Sequence, residues 1–162
     1  MSIQGFAARR IARTFTFEVA AAPGVVFPLL CPVREREWIE GWKADIVYST
    51  SGLAEDNCLF TSENKLLGEG LYVVSRYERE NGVIEFVIFY AGKAVQKLDI
   101  AIRPNAKGGT HITWRRLLTG LSPTGNALIE QLTEESFRQQ MGVLSQSLDR
   151  YSAQEAAKQA AK

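Results

Sequence analysis

The sequence has a single histidine, His111, and only two cysteines, Cys31 and Cys58. A zinc site draws most of its ligands from these two residue types, and a catalytic triad needs a histidine beside its nucleophile. Two dissimilarly placed cysteines are also too few for a disulfide framework. We therefore predict no metal and no cofactor, and we expect both thiols to be buried and reduced.

An excess of either charge is also missing. Lysine and arginine number 19 against 18 acidic residues, which gives a formal net charge of +1. The basic residues are scattered along the chain, whereas a protein that binds a polyanion gathers them on one face. Nucleic acid is therefore not an expected partner.

Long hydrophobic runs are absent as well. The most apolar early stretch, VAAAPGVVFPLLCPV (19–33), contains three prolines, begins too late for a signal peptide and is too short to span a bilayer. This pattern predicts no stable membrane insertion and, with no export signal, a cytoplasmic location. The length of 162 residues is that of one domain. We place that domain at 1–152 and an exposed helical or frayed tail at 153–162, where large apolar residues are lacking.

What the sequence does contain is a two-residue alternation of apolar side chains, the period of a strand with one buried face. The alternation begins in residues 9–19 and returns in six segments between residues 43 and 120, which are separated by turn signals such as Asn81-Gly82. Consecutive hairpins predict a meander of seven antiparallel strands. In GLYVVSRYERE (70–80) two registers compete, and we favour the one that points Tyr72 and Val74 inward.

Helical spacing occurs in two places. Residues 22–38 carry it but are broken by proline, which predicts two short helices that meet near Pro32. After Ser122, a good N-cap, and Pro123, apolar residues recur at three to five residue steps as far as Tyr151. This second pattern predicts one long amphipathic helix of about 30 residues.

The predicted fold class is α+β, with a curved seven-stranded antiparallel sheet around the long C-terminal helix. Only that helix is long and apolar enough to cover the sheet. A bent sheet and a straight helix part somewhere, and we expect a cavity at that place. Its predicted ligand-binding lining consists of Trp38, Trp42, Tyr48, Phe60, Tyr72, Arg76, Phe86, Ile88, Leu98, Ile100, Trp114, Arg116, Phe137 and Met141.

Several segments of the sequence resemble those of a known family. They are FPLLCPVREREWIEGW (27–42), VYSTSGLAEDNCLFT (47–61), ITWRRLLTGLSPTGN (112–126) and the amphipathic helix that follows. In these segments the chain is similar to the START-like (SRPBCC) superfamily of helix-grip proteins, also called the polyketide cyclase and lipid transport superfamily, and within it to an uncharacterised bacterial subgroup. The resemblance implies the helix-grip fold and a hydrophobic small-molecule ligand. It carries over no catalytic residue.

The corner segment REREW (34–38) allows two interpretations. Its alternating charges suit a solvated helix surface with weak ion pairs. Alternatively, Glu35 turns inward and anchors the loop TSGLAEDN (50–57). Trp38 and Trp42 share a face if the helix extends that far, either as core or as a wall of the cavity.

The polar candidates remain equally open. Arg76 and Arg116 each lie on an inward parity, so each is either a surface ion-pair residue or a buried guanidinium that needs a carboxylate partner or a ligand anion. Leu66 and Leu67, in a polar loop bounded by glycine, are either buried anchors or part of a lid.

The function that these features favour is binding or transport of a hydrophobic, amphipathic or aromatic small molecule. A cofactor-free enzyme of the polyketide cyclase or dehydratase type is the first alternative, with Arg76, Tyr48 or Glu55 as ordinary polar residues of its pocket. A protein interaction module with a filled core is the second. The sequence leaves the oligomeric state undetermined.

Overall fold

The structure is a computed structural model, and it describes residues 5–162. The N-terminal half begins with a strand and a corner of short helices. The C-terminal half ends in two helices. In chain order the elements are β1 (Arg10–Val19), α1 (Pro23–Val26), a 3-10 helix (Phe27–Leu30), α2 (Pro32–Glu35), β2 (Ala44–Tyr48), β3 (Leu59–Asn64), β4 (Gly68–Glu78), β5 (Val83–Tyr90), β6 (Ala94–Pro104), β7 (Thr110–Gly120), α3 (Pro123–Glu130) and α4 (Glu134–Ala160).

The seven strands form one antiparallel sheet in the order β1-β7-β6-β5-β4-β3-β2. Each strand from β2 to β7 pairs with its neighbours in the sequence, and β1 pairs with β7. The sheet is therefore a meander to which the first strand has been added at one edge. The predicted α+β helix-grip architecture is confirmed.

The concave face of the sheet carries the apolar residues of the alternating pattern. On β5 and β6 every second side chain is buried, from Ile84 to Tyr90 and from Ala94 to Ile102. On β4 the favoured register holds as far as Val74, with Tyr72 and Val74 buried and Leu71 exposed. The period of two therefore predicts the buried face correctly wherever the strand is regular.

Two β-bulges overturn the predictions made for Tyr48 and Arg76. The register shifts between Val74 and Arg76 on β4 and between Ile46 and Tyr48 on β2. A bulge adds one residue to its strand, so the side chains that follow it change faces. Both residues lie immediately beyond a bulge and are exposed, and the prediction that they line a cavity is wrong.

The C-terminal segment forms two helices rather than the single long helix predicted. The Ser122 hydroxyl accepts a hydrogen bond from the Gly125 N–H at 3.0 Å, which confirms the N-cap of α3. A break follows at 131–133, and the Thr133 hydroxyl then caps α4 by accepting from the Ser136 N–H at 3.1 Å. Arg13 of β1 donates to the Leu132 carbonyl oxygen at 2.9 Å, which gives this carbonyl group at the break a partner.

The two ends of α4 differ from each other in how far they are buried. Phe137, Met141 and Leu148 are buried against the sheet. The helix continues to Ala160, beyond Ser152, the last buried residue of the helix. The separation of a tail at 153–162 stays a prediction.

The helical corner is held together by its two tryptophans. The helix α2 ends at Glu35, so Trp38 and Trp42 lie beyond it and do not share a helical face. The Trp38 indole N–H donates to the Leu29 carbonyl oxygen and that of Trp42 to the Pro32 carbonyl oxygen, both at 2.8 Å. Each indole therefore ties the turn at 36–42 back onto the short helices that precede it.

Candidate functional site

A cleft of about 880 Å³ opens between the sheet and α4, and we call it the helix–sheet cleft. Its floor comes from β6 and β7, and one wall comes from α4. The corner at 39–43 and the segment 63–67, which is the end of β3 and its connection to β4, form the mouth. This volume lies within the usual range of small-molecule sites.

The lining of the helix–sheet cleft is mixed, with apolar side chains forming much of its walls. Leu118 is buried at its floor, Leu132 is buried in the break before α4, and Leu144 of α4 is partly buried. Trp42 and Leu67 contribute at the mouth, where Leu67 is 2% exposed. Such a surface offers an apolar molecule contacts on several sides.

Arg116 is a cation on the floor of the cleft. Its guanidinium carbon lies 5.6 Å from the centre of the Phe137 ring, a cation–π arrangement. Its Nε atom is buried without a hydrogen-bond partner among residues 5–162. Desolvation lowers the pKa of Arg116, but an arginine side chain stays protonated at neutral pH.

Other buried polar groups lie in the same region as this guanidinium. Gln96, only 4% exposed, lines the cleft two residues before Leu98, the register partner of Arg116, on the same face of β6. Within the described part of the chain, the Trp114 indole N–H and the Tyr90 hydroxyl are buried and unpartnered. Most buried polar atoms in proteins have a partner, so this concentration marks the region as unusual.

Glu35 is buried near Arg116 at the end of α2. Desolvation raises the pKa of its carboxyl to about 8, although the charge of Arg116 acts to lower that pKa. Glu35 and Arg116 form no ion pair with each other. The carboxyl is therefore mostly protonated at neutral pH, and it contributes little negative charge to the region.

Glu35 does not anchor the loop at 50–57, as one interpretation of the sequence required. The carboxylate of Glu55 does so, accepting hydrogen bonds from the Thr50 and Ser51 N–H groups. These hydrogen bonds lower the pKa of Glu55, and the bond from the Thr50 N–H has the largest effect. Glu55 thus serves the loop and does not line the helix–sheet cleft, which also removes it as a pocket residue of an enzyme.

The other charges of REREW are at the surface. Arg34 pairs with Glu37 at 3.1 Å and with Glu155 of α4 at 3.7 Å, and Glu37 accepts a hydrogen bond from the Tyr151 hydroxyl at 2.7 Å. The interpretation of this segment as a solvated surface is confirmed for Arg34 and Glu37. A smaller groove of about 410 Å³ beside this network contains Trp38.

The predicted lining residues fall into four groups. Trp42 and Arg116 line the helix–sheet cleft, whereas Tyr48 and Arg76 are exposed, with Arg76 paired to Glu78 at 3.0 Å. Trp38 is buried in the corner. The remaining nine residues are buried in the core under the cleft: Phe60, Tyr72, Phe86, Ile88, Leu98, Ile100, Trp114, Phe137 and Met141. Ligand contact by any of the fourteen stays a prediction.

Sequence reasoning missed several residues of the cleft. Gln96 gave a usable signal, because it is a polar residue on the same parity as the buried Leu98 and Ile100. Leu132 and Leu144 were assigned to the long helix but not to a ligand site. Leu66 and Leu67 both line the cleft, and a lid movement by their loop stays a prediction.

Other chemical groups offer no alternative centre. Cys31 and Cys58 are buried free thiols, and burial raises the pKa of Cys58. His111 faces Glu18 at 3.5 Å, away from the cleft. Between residues 5 and 162 no three potential metal ligands are grouped to hold an ion, and no helix there has the length and apolarity to cross a membrane.

Comparison with protein-family models and with curated proteins finds no match for this sequence. Solved structures do resemble it. Norcoclaurine synthase from Thalictrum flavum, as a point mutant in complex with a transition-state analogue, superposes with a TM-score of 0.69 at 11% identity, covering 93% of this chain and 99% of that one.

Two further structures show the same similarity. The protein Ara h 8.0201 has a TM-score of 0.62 at 11% identity, with 90% of this chain and 99% of that chain covered. A hypothetical protein from Helicobacter pylori has a TM-score of 0.69 at 12% identity, with 93% and 91% covered. At such low identity the likeness establishes a shared fold and nothing finer.

Proposed function

We propose that this chain, which has the helix-grip fold of the Bet v 1-like and START-like proteins, binds or carries a hydrophobic or amphipathic small molecule in its helix–sheet cleft. The observation on which this proposal depends is the cleft of about 880 Å³ between α4 and the sheet. Proteins of this fold are known to bind hydrophobic ligands.

The distribution of side chains around the cleft supports the proposal. Leu118, Leu132 and Leu144 give an apolar molecule a continuous contact surface, and Trp42 adds an aromatic one at the mouth. Ligand sites typically combine such a surface with a few fixed polar groups. Gln96 and Arg116 supply polar groups of that kind at the floor.

The test is a fluorescence titration with N-phenyl-1-naphthylamine, a neutral probe that brightens in apolar surroundings. We expect saturable binding to the unmodified chain. In Leu144→Trp a larger side chain occupies the cleft, and we expect the affinity to fall by about tenfold or more, because a bulky group in a packed site excludes its occupant.

Gln146→Trp is the matched control, since Gln146 is an exposed residue of the same helix and does not line the cleft. It should bind the probe as the unmodified chain does. Absence of saturable binding, or equal affinity in Leu144→Trp, would contradict the proposal and would favour an interaction module instead.

A cofactor-free cyclase or dehydratase is the second candidate, and the observation that favours it is the buried carboxyl of Glu35 near Arg116, a residue that lines the cleft. A buried carboxyl with a pKa of about 8 is protonated at neutral pH, as a general acid must be. Norcoclaurine synthase shows that an enzyme occurs on this fold. A carrier returns its ligand unchanged, whereas an enzyme alters the mass or connectivity of that ligand, so mass spectrometry after incubation separates the two.

A further inference from the structure

The arginines of this chain differ sharply in their partners. Within residues 5–162, Arg116 forms no hydrogen bond and no ion pair, and its Nε atom is fully buried. Several arginines outside the helix–sheet cleft do have carboxylate partners. These pairs are Arg9–Glu130, Arg13–Glu134, Arg34–Glu37, Arg76–Glu78 and Arg115–Asp99.

A partly buried guanidinium whose Nε has no acceptor is unfavourable without an anion, and the neighbouring side chains do not supply one. The Phe137 ring offers a cation–π contact at 5.6 Å but no hydrogen-bond acceptor. Glu35 is the nearby carboxyl, yet burial raises its pKa to about 8 and leaves it mostly neutral at pH 7. The positive charge of Arg116 is therefore uncompensated within the fold.

Two further buried polar groups in this region also lack a hydrogen-bond partner among the described residues. The buried Trp114 indole N–H has no acceptor within the described part of the chain, and the same is true of the Tyr90 hydroxyl. Gln96 contributes an amide group at the floor of the cleft. An indole and a guanidinium only donate hydrogen bonds, so the missing component is an acceptor, and a negatively charged one matches best.

We infer that the ligand of the helix–sheet cleft is an amphiphile with a carboxylate group that Arg116 binds. This inference rests on the proposed function of the cleft and names the class of its ligand. The planar guanidinium matches a carboxylate in a bidentate geometry. The apolar body of the ligand then lies along Leu118, Leu132 and Leu144, toward the mouth.

A monoanion fits better than a phosphate. One guanidinium balances one negative charge, and the other cations that line the cleft, Lys43 and Lys65, are exposed residues at its mouth. A phosphate dianion placed at Arg116 would leave part of its charge unpaired in a desolvated position, which is costly. The carboxylate is therefore the group that the single cation on the floor of the cleft selects.

The experiment compares decanoate with decan-1-ol, two probes of equal chain length, by displacement of N-phenyl-1-naphthylamine at pH 7. We expect decanoate to bind the unmodified chain about tenfold or more tightly than decanol, as a charge-assisted hydrogen bond allows. Arg116→Gln should remove this preference while decanol binding changes less than about threefold. Arg115→Gln, which removes the exposed neighbouring guanidinium, should keep the preference.

The outcomes separate this inference from the proposed function. If decanol and the neutral probe bind but decanoate binds no better, the carboxylate inference is overturned and the cleft remains a ligand site. If neither decanol nor the neutral probe binds, both are overturned. Retention of the decanoate preference in Arg116→Gln would also overturn the inference.

A measurement on the unmodified chain keeps the test independent of the folding of Arg116→Gln. Decanoate labelled with ¹³C at its carboxyl group reports its own protonation state when bound. A neighbouring guanidinium favours the charged form, so the bound carboxyl should become protonated at a lower pH than free decanoate. Protonation at the same or a higher pH would overturn the inference.

Discussion

At the scale of single residues, Glu35 has the environment least expected from the sequence. The alternating charges of REREW suit an exposed helix, and Arg34 and Glu37 follow that expectation. Glu35, only 6% exposed, instead packs inside the corner without an ion pair. A carboxyl group is tolerated there because it is neutral, and this makes the stability of the fold depend on pH.

We predict that Glu35→Gln removes a pH-dependent loss of stability. The pKa of Glu35 is about 8 in the folded chain against an ordinary value of 4.5, so the folded state binds the additional proton between these values. The stabilising effect of protonation is complete below pH 4.5 and is lost as the pH rises through 8. From pH 5 to pH 9 this group alone should remove several kcal/mol from the unfolding free energy, at about 1.4 kcal/mol per pKa unit.

Urea unfolding at pH 5, 7 and 9 measures this effect. The profile of Glu35→Gln should be flatter than that of the unmodified chain, and the variant should be the more stable of the two at pH 9. Glu40→Gln, an exposed change in the same corner, should follow the unmodified chain. Parallel profiles for Glu35→Gln and the unmodified chain would disprove the buried, neutral state of this carboxyl.

Arg76 and Arg116 show where prediction from the sequence fails for single residues. Arg76 and Arg116 both lie on an inward parity, yet only Arg116 reaches the helix–sheet cleft. The difference is the bulge after Val74, where the Tyr77 N–H donates to the Asp56 carboxylate at 2.7 Å. That bond joins residues 21 positions apart, so a pattern of neighbouring residues does not contain it.

At the scale of elements, the position of helix α3 depends on a close approach between its backbone and that of the turn before β6. Gly125 lies in its first turns, and a Cβ atom there would overlap the carbonyl oxygen of Lys93 in the turn before β6. The Lys93 carbonyl also accepts a hydrogen bond from the Leu121 N–H at 2.8 Å, so it is held in place. Only glycine allows this packing without displacement of one of the two segments.

We predict opposite effects for alanine at two helical glycines. Gly125→Ala should lower the unfolding free energy by about 2–3 kcal/mol or more, because α3 must move away from Lys93. Gly142→Ala, in the interior of α4, meets no atom within 4 Å and should raise it by about 0.5–1 kcal/mol through helix propensity. Chemical denaturation of both variants measures these values, and destabilisation by Gly142→Ala or neutrality of Gly125→Ala would contradict the packing described.

Element prediction succeeded where the signals were local. Pro32 marked the start of α2, and Ser122 with Pro123 marked the start of α3, whereas the segment before Pro32 divides into α1 and a 3-10 helix where a single short helix was predicted. The break between α3 and α4 was missed because Leu128, Leu132 and Phe137 keep nearly helical spacing across it. Thr133 followed by two glutamates was a usable sign of a new N-terminus, since a threonine cap and early acidic residues are typical there.

At the scale of the whole molecule, α4 divides the interior between core and cleft. Phe137, Met141 and Leu148 pack on the sheet, whereas Leu144 and Ser147 line the helix–sheet cleft. Sequence periodicity identified the packed face, and it predicted a space between the sheet and the helix. Of the residues predicted to line that space, Trp42 and Arg116 line the cleft, whereas the large side chains of the central strands pack together in the core.

This division links ligand binding to the stability of the entire fold, and we predict that the link is measurable by thermal unfolding. A molecule that binds only the folded state at 100 times its dissociation constant adds about 2.7 kcal/mol. In a chain of 162 residues that corresponds to a rise of roughly 5–10 °C in Tm. We therefore expect N-phenyl-1-naphthylamine to raise the Tm of the unmodified chain and of Gln146→Trp by this amount, and to leave that of Leu144→Trp nearly unchanged. An equal rise in all three would place the probe outside the helix–sheet cleft, and no rise in any of them at saturation would show that the cleft is not its site.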